Sequence, residues 1–365
     1  PWEVEKNIRN TLYRKEMKNK CMKQLDILSK LPRIAIISDI HGDLAMARQM
    51  ASFLERESVD TIILAGDIPD DTKTNFKKIL SSFNKLDIPT IVFPGSHENS
   101  FTYESTLKEF NNSSSLIDAS KRENQHIRLK EHDLFIIPGS HVVSAGSTSY
   151  KGGNMWLLDK RRTPQAKARL TRRAKKLKFA HRAKPFFLPD SKMMIAQSTM
   201  IPRKNQIIIC HEPPLCRTER GIDNAHFARP SQAFTINNED IKNNPGLKEF
   251  KSLCREREIS EHSVFPLEEG RFLHKIGYPI EFDKKNVGSQ GIREILERYS
   301  ITKCVSGHIH EAGPEAIDKN ERRIRKGKWK RDMYINNGPG NEGHLTLLTL
   351  RSDGVTQYHH KKLKK

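Results

Sequence analysis

Residues 33–43 read RIAIISDIHGD. The segment RIAIISDI (33–40) is apolar at successive positions rather than alternate ones, the pattern of a strand covered on both faces. It runs out on Asp39-Ile40-His41-Gly42-Asp43. The next fifty residues repeat the form: LAMARQMASFLERE (44–57) is helical, TIILAGDI (61–68) is a second buried strand, NFKKILSSFNKL (75–86) is helical and TIVF (90–93) is a third strand. This βαβαβ alternation predicts a parallel sheet with helices packed on its faces.

Further strands are read at LFIIPGS (134–140) and at QIIICHE (206–212), the latter stopped by Pro213-Pro214. GIREILERY (291–299) is helical, and ITKCVSGHIH (301–310) is a strand with its exit turn. DMYINNG (332–338) and HLTLLTLRSDG (344–354) read as consecutive strands joined by a Gly/Asn-rich turn, so the chain begins α/β and ends richer in β. Residues 1–30 read as a polar helical extension. The domain proper is 31–365, with a basic insertion at 151–205 and an irregular one at 215–288. Within the first insertion Thr163-Pro164 offers a helix start. Ala166, Leu170, Ala174 and Leu177 then share one face of a basic amphipathic helix.

The net charge of +20 is concentrated. Residues 151–184 hold thirteen Lys/Arg against Asp159 alone, 319–331 hold eight against Glu321, and the chain closes on KKLKK. The remainder is close to neutral. Positive charge attached in blocks to a near-neutral body attracts polyanions, nucleic acid first. Five cysteines without framework spacing (Cys21, Cys210, Cys216, Cys254, Cys304) argue for reduced thiols and a cytoplasmic location. No apolar run approaches the ~18–20 residues of a membrane helix. The charged N-terminal stretch does not read as a secretory leader.

Every strong strand stops on carboxylates and imidazoles: Asp39 and His41, Gly66-Asp67, Gly95-Ser96-His97-Glu98, His211, and Gly307-His308-Ile309-His310. Ligands of open α/β sheets sit outside the carboxyl ends of the strands. Residues two apart share a face, so D-x-H and H-x-H each aim two side chains into one pocket. Two Asp and four His placed this way suit a pair of divalent cations, with imidazole favouring Zn, Mn, Fe or Ni over Ca.

The order DIH, GDIPD, GSHE, a lone His within CHEPP, then GHIH closely resembles the calcineurin-like metallophosphoesterase superfamily over about residues 33–350. The resemblance implies a sandwich of two mixed β-sheets flanked by helices, and hydrolysis of a phosphate ester with two divalent metal ions (Mn, Fe, Zn, Ni, Co or Mg). It further implies that Asp39, His41 and His310 hold one metal, that Asp67 bridges, and that His211 and His308 hold the other. His97 would stand beside the phosphate and protonate the leaving oxygen, with Glu98 or Asp43 orienting its ring. The family pattern has asparagine where this sequence has Ser96, so the second metal is expected to lack one protein ligand.

Arg161, Arg162, Arg169, Arg172, Arg173, Lys175, Lys176, Arg322, Arg323 and Arg325 are the candidate contacts to nucleic acid (RNA or DNA) or a ribonucleoprotein. Trp156, Phe179, Phe186, Phe187 and Trp329 beside them are able to stack on bases. The favoured substrate is therefore a phosphodiester of nucleic acid or of a nucleotide. A phosphomonoesterase or phosphoprotein phosphatase, and an RNA-binding protein with a degraded site, stay open as alternatives.

Overall fold

The computed structural model describes residues 31–69, 72–129, 131–141, 148–151, 184–198, 202–248, 250, 258–261 and 263–364. The N-terminal extension and most of the basic insertion, including the helix expected from Thr163 and the cations from Arg161 to Lys176, lie outside the described residues. The chain divides into two compact units. One runs up to Asp223 and resumes at Gly288–Lys365, and the other is Asn224–Val287.

The first unit opens as the sequence predicts, with β1 (Arg33–Ile37), α1 (Leu44–Arg56), β2 (Thr61–Ala65), α2 (Lys73–Asn84) and β3 (Thr90–Phe93). Then come α3 (Ser100–Leu107), β4 (Leu116–Asp118), β5 (His126–Arg128), β6 (Asp133–Ile137), β7 (Ser140–His141), β8 (Thr148–Lys151), β9 (Lys184–Phe187), α4 (Leu188–Gln197) and β10 (Gln206–Cys210). The second unit holds β11 (Asn224–Pro230), α5 (Asn238–Asn243), β12 (Phe265–Pro266), α6 (Leu267–Lys275) and β13 (Ile280–Asn286). The chain ends with α7 (Gln290–Tyr299), β14 (Lys303–Ser306), β15 (Glu315–Ile317), β16 (Trp329–Lys330), β17 (Met333–Asn336), β18 (His344–Leu350) and β19 (Thr356–Lys362).

Two mixed sheets carry the first unit, ordered β16-β19-β18-β1-β2-β3-β4 and β15-β17-β14-β10-β6-β5. In the first, β1 to β4 run parallel and β18 returns antiparallel to β1. In the second, β6, β10, β14 and β17 run parallel. β17 and β18, consecutive in sequence, thus lie in different sheets, and their Gly/Asn turn carries the chain across. The layers follow from strand alternation. Ile34, Ile36, Ile63, Ile91 and Phe93 face Leu134, Ile136, Ile207, Ile209 and Ile335 in the core between the sheets. The opposite sides of the same strands, Ala35, Ile37, Ile62, Leu64 and Val92, pack on Met46, Met50, Leu54, Phe76, Ile79 and Phe83 of α1 and α2. On the far side, Phe135, Ile208, Cys210 and Cys304 pack on Leu188, Ile195, Ile292 and Ile295 of α4 and α7. Each buried Ile or Phe contributes about 1.5–3 kcal/mol, so these three seams hold the parallel strand ends in place.

The unit Asn224–Val287 differs from its irregular reading. β12, β11 and β13 form an antiparallel sheet, and Ala228, Ile236, Leu247, Ile259, Phe265, Leu273 and Ile280 form its own core. The sequence hides this because β13, IEFDKKN, is exposed at every position from Glu281 to Lys285. A strand that presents polar groups on both faces leaves no period-two signature.

At the other end of the first unit, the carboxylate of Asp133 is fully buried. His126 Nε2 lies at 3.0 Å, Arg128 Nε at 3.1 Å and Ser198 Oγ at 2.5 Å from it. Burial opposes its ionisation, yet the hydrogen bonds from His126, Ser198 and Arg128 prevail and hold its pKa down at about 2. A depressed carboxyl contributes stability that is present above its unfolded pKa of ~4 and is lost as pH falls through the folded value. Asp133→Asn is expected to lower stability at pH 7 by about 2 kcal/mol and to flatten the acid limb between about pH 4 and pH 2. Denaturant midpoints measured across that window check both effects.

Candidate metal centre

β1, β2, β3, β10 and β14 all discharge at one end of the sandwich, and the backbone there is unusual. Asp39 (φ 57°), His41 (φ 46°), Asp67 (φ 54°) and His308 (φ 70°) occupy the left-handed region without being glycine. Such a conformation costs about 1–2 kcal/mol per residue and needs surroundings that impose it. The loops impose it on one another. Asp39 N donates to Gly66 O, His41 N to Asp67 O and Gly42 N to Ile68 O, each at 3.0 Å. Gly307 N donates to His211 O at 2.8 Å, and His308 N to Asp39 Oδ2 at 3.0 Å. Gly95 packs so closely that a Cβ there would stand 2.5 Å from Asp67 Oδ1 and 2.7 Å from the His211 ring. This is a position where only glycine fits.

Asp67 is the most heavily engaged side chain. Its Oδ1 accepts from Ser96 N at 2.6 Å and His97 N at 2.8 Å, and its Oδ2 accepts from Ser96 Oγ at 2.8 Å. Two clusters surround it. Asp39, His41 and His310 bring one ligand-type atom each within 4.8 Å of one another, and so do Asp67, His211 and His308. In the first, His41 Nε2 and His310 Nε2 are 3.3 Å apart, and His310 Nε2 is 3.3 Å from Asp39 Oδ1. In the second, His211 Nε2 is 3.1 Å from Asp67 Oδ2, and the His211 and His308 ring centroids are 4.9 Å apart. His97 stands at the mouth, its side chain 64% exposed, with Nε2 3.9 Å from Asp67 Oδ2.

The residues fit divalent cations on their own chemistry. Asp39 Oδ1 and His211 Nε2 are buried with no hydrogen-bond partner, a cost that persists only where something else satisfies them. His211 Nδ1 lies 3.0 Å from Ala65 O, which places a proton on that nitrogen and aims Nε2 into the pocket, where a cation would take the place of the second proton. Burial disfavours a charged His211, but the carboxylates of Asp67 and Asp39 outweigh it and push its pKa up to about 10. Burial, with His211 alongside, takes His308 down to about 4. Against the desolvation of a buried site, the surrounding imidazoles keep Asp67 well below the ordinary carboxylate range. The pocket therefore holds fixed negative charge that draws in protons or metal ions.

All eight expected residues from Asp39 to His310 converge here, Ser96 and His97 among them. The structure gives each carboxylate expected to orient His97 a backbone partner. Asp43 serves as the N-cap of α1, accepting from Met46 N at 2.9 Å. Glu98 is fully buried and accepts from Ile68 N at 3.0 Å and Gly95 N at 2.7 Å, tying the Asp67 loop to the His97 loop. The carboxylate of Asp67 lies 3.9 Å from His97 Nε2. Sequence reasoning also passed over Asn75, whose Nδ2 donates to Gly42 O at 2.7 Å, and Asn341, whose N donates to Asp39 O at 3.0 Å. The sequence Pro-Gly-Ser-His occurs at 94–97 and again at 138–141, and the second copy places the His141 amide 3.0 Å from the carboxylate of Glu212, the residue after His211.

Arg322, Arg323 and Arg325 are exposed, but they are not brought to this pocket. Their run follows the edge of the second sheet, where Ile324 N donates to Ala316 O. It enters β17 at Met333, which pairs with Lys303, whereas the pocket end of β17 is Asn336 beside Ser306. Trp329, also in this run, pairs through β16 with Gln357 and Arg351 sits over its ring at 5.4 Å.

A four-layer sandwich with two Asp–His–His clusters at its strand ends defines a metal-dependent phosphoester hydrolase. The calcineurin-like phosphoesterase family model matches residues 32–224, more than half of the chain, and the chain belongs to that family. The match ends before His308 and His310, which join the site by geometry. Similar solved structures include TT1561 of Thermus thermophilus (TM-score 0.47, 9% identity, covering 91% of this chain and 99% of that one). A dimetal phosphatase from Danio rerio (0.45, 10%, 91% and 99%) and a metallophosphoesterase from Sphaerobacter thermophilus (0.32, 12%, 91% and 89%) are also similar. No curated protein matches the sequence.

Glu98 gives a test of the loop clasp. Burial, then the charge of Asp67, raises its pKa to about 8. Above about pH 8, where Glu98 is ionised, Glu98→Gln sets an amide N–H against one of two buried N–H donors. It is expected to cost about 1–3 kcal/mol and to speed hydrogen exchange at Ile68 or Gly95, read by NMR.

Proposed function

We propose that this phosphoesterase cleaves a phosphodiester of nucleic acid, with Asp39, His41 and His310 around one divalent cation, His211 and His308 around a second, and Asp67 shared. The observation that carries the reading is the pair of clusters, Asp39–His41–His310 and Asp67–His211–His308, each with its ligand-type atoms within 4.8 Å. Cations bound there polarise a phosphoryl oxygen and lower the pKa of water, supplying the nucleophile at neutral pH.

The chain's own groups do the rest. Three hydrogen bonds fix the orientation of Asp67, and the imidazoles around it, His211 first, keep it ionised. The His211 tautomer is set by Ala65 O. His97, exposed and beside Asp67, is positioned to donate a proton from its imidazolium to the leaving oxygen. Ser96, where the family pattern has asparagine, spends its hydroxyl proton on Asp67 and offers a poor neutral ligand.

Preference for a nucleic-acid diester is supported by the basic blocks at 151–184 and 319–331, the second of which exposes all eight of its Lys and Arg. A polymer passing the pocket has the length to reach the flank of the sandwich, which a small monoester lacks. The buried free thiols of Cys210, Cys216 and Cys304 support a reducing, cytoplasmic setting.

The test is turnover of bis(p-nitrophenyl) phosphate, p-nitrophenyl phosphate and a single-stranded oligonucleotide with Mn, Fe, Zn, Ni, Co or Mg supplied singly. Diester and oligonucleotide cleavage is expected. Cleavage of the monoester alone, or no turnover with any of the metals, overturns the reading. His97→Ala is expected to lower kcat by about 10²–10⁴-fold with metal content unchanged. Asp67→Ala is expected to lose bound metal, and Ser96→Asn to raise occupancy of the second position, both by elemental analysis.

A further inference from the structure

We infer that the groove between α1 and α2 seats the sugar–phosphate backbone of a nucleic-acid strand running out of the metal centre. This inference rests on the nucleic-acid reading above and extends it to a surface.

The groove encloses about 310 Å³. Its walls are Arg48 from α1 and, from α2, Thr74, Lys77, Lys78, Ser81, Ser82 and Lys85, with no carboxylate among them. Thr74, Lys78, Ser81 and Lys85 are spaced four, three and four apart, so they form one face of α2, about 16 Å long at 1.5 Å per residue. Lys77 is committed to Glu109 at 2.6 Å. Arg48, Lys78 and Lys85 are exposed and have no carboxylate partner among the described residues. Three exposed cations without a carboxylate partner among the described residues, beside the hydroxyls of Thr74 and Ser81, match the phosphate contacts that position nucleic acid without reading its sequence.

The two helices that wall the groove start beside the metal centre. α1 begins at Leu44, three residues after His41, with Asp43 as its cap. The first turn of α2 is pinned to the same loop by Asn75 Nδ2 donating to Gly42 O at 2.7 Å. Both helices therefore start at the rim of the metal pocket and lead away from it. Their N-termini add positive potential at that rim. A strand whose scissile phosphate lies at the cations meets this basic face with its next phosphates.

The test uses the full chain and fluorescein-labelled twelve-nucleotide single strands of DNA and RNA, read by anisotropy over a salt series. The variants are the triple R48E/K78E/K85E and the milder double K78A/K85A, each checked by circular dichroism. The double variant is expected to weaken binding and lower the slope of log affinity against log salt by about 1.4, two contacts at about 0.7 each on single strands, and the triple by about 2 or more. Hydrolysis of bis(p-nitrophenyl) phosphate is expected to stay within two-fold of wild type for both. Unchanged oligonucleotide affinity and salt slope in both variants overturn the groove while leaving the diesterase reading intact. Wild type that binds anionic lipid vesicles but not oligonucleotides overturns the groove as well. Failure of the wild type to cleave any diester is a separate result, and it removes the reading on which the groove rests.

Discussion

The architecture depends on the buried negative charge of Asp67. Removing a carboxylate from water is among the costlier acts in folding, and it is tolerated when hydrogen bonds and opposite charge replace the lost hydration. Two backbone amides and one hydroxyl do the first, and the His211 ring at 3.1 Å does the second. Each of those partners comes from a loop that must end its strand at one level. The charge thus fixes the relative heights of β2, β3 and β10, and the three apolar seams exist to hold those strands at the heights the charge requires.

Much of this was legible in the sequence because buried parallel strands leave a dense signal. RIAII, TIILA, TIVF and QIIIC are apolar after their first residue, and a pocket residue follows each within three positions. Strand lengths were overread at the exits: β1 stops at Ile37, not at residue 40, because Asp39 and His41 turn left-handed. Side-chain type does not announce that turn. Asp tolerates the conformation, but nothing in the letters D-I-H separates an aspartate at φ 57° from an extended one.

The roles of Glu98 and Asp43 were lost for a related reason. Adjacency in sequence suggested two carboxylates for one histidine, whereas backbone amides at loop and helix starts claimed both. Local unmet donors outcompete a mobile imidazole for a nearby acceptor. The basic run at 319–331 shows the limit of composition: its charge was visible, but strand pairing set its position along the flank.

Asp223 Oδ2 accepts from Gly288 N at 3.0 Å, so the main body is stitched shut at the point where the chain departs and returns. Asn224 and Asn286 face one another as ladder partners, and the excursion is zipped at its own base. A segment closed at the neck on both sides leaves the hydrolytic scaffold's own chain ends tied together where it departs and returns.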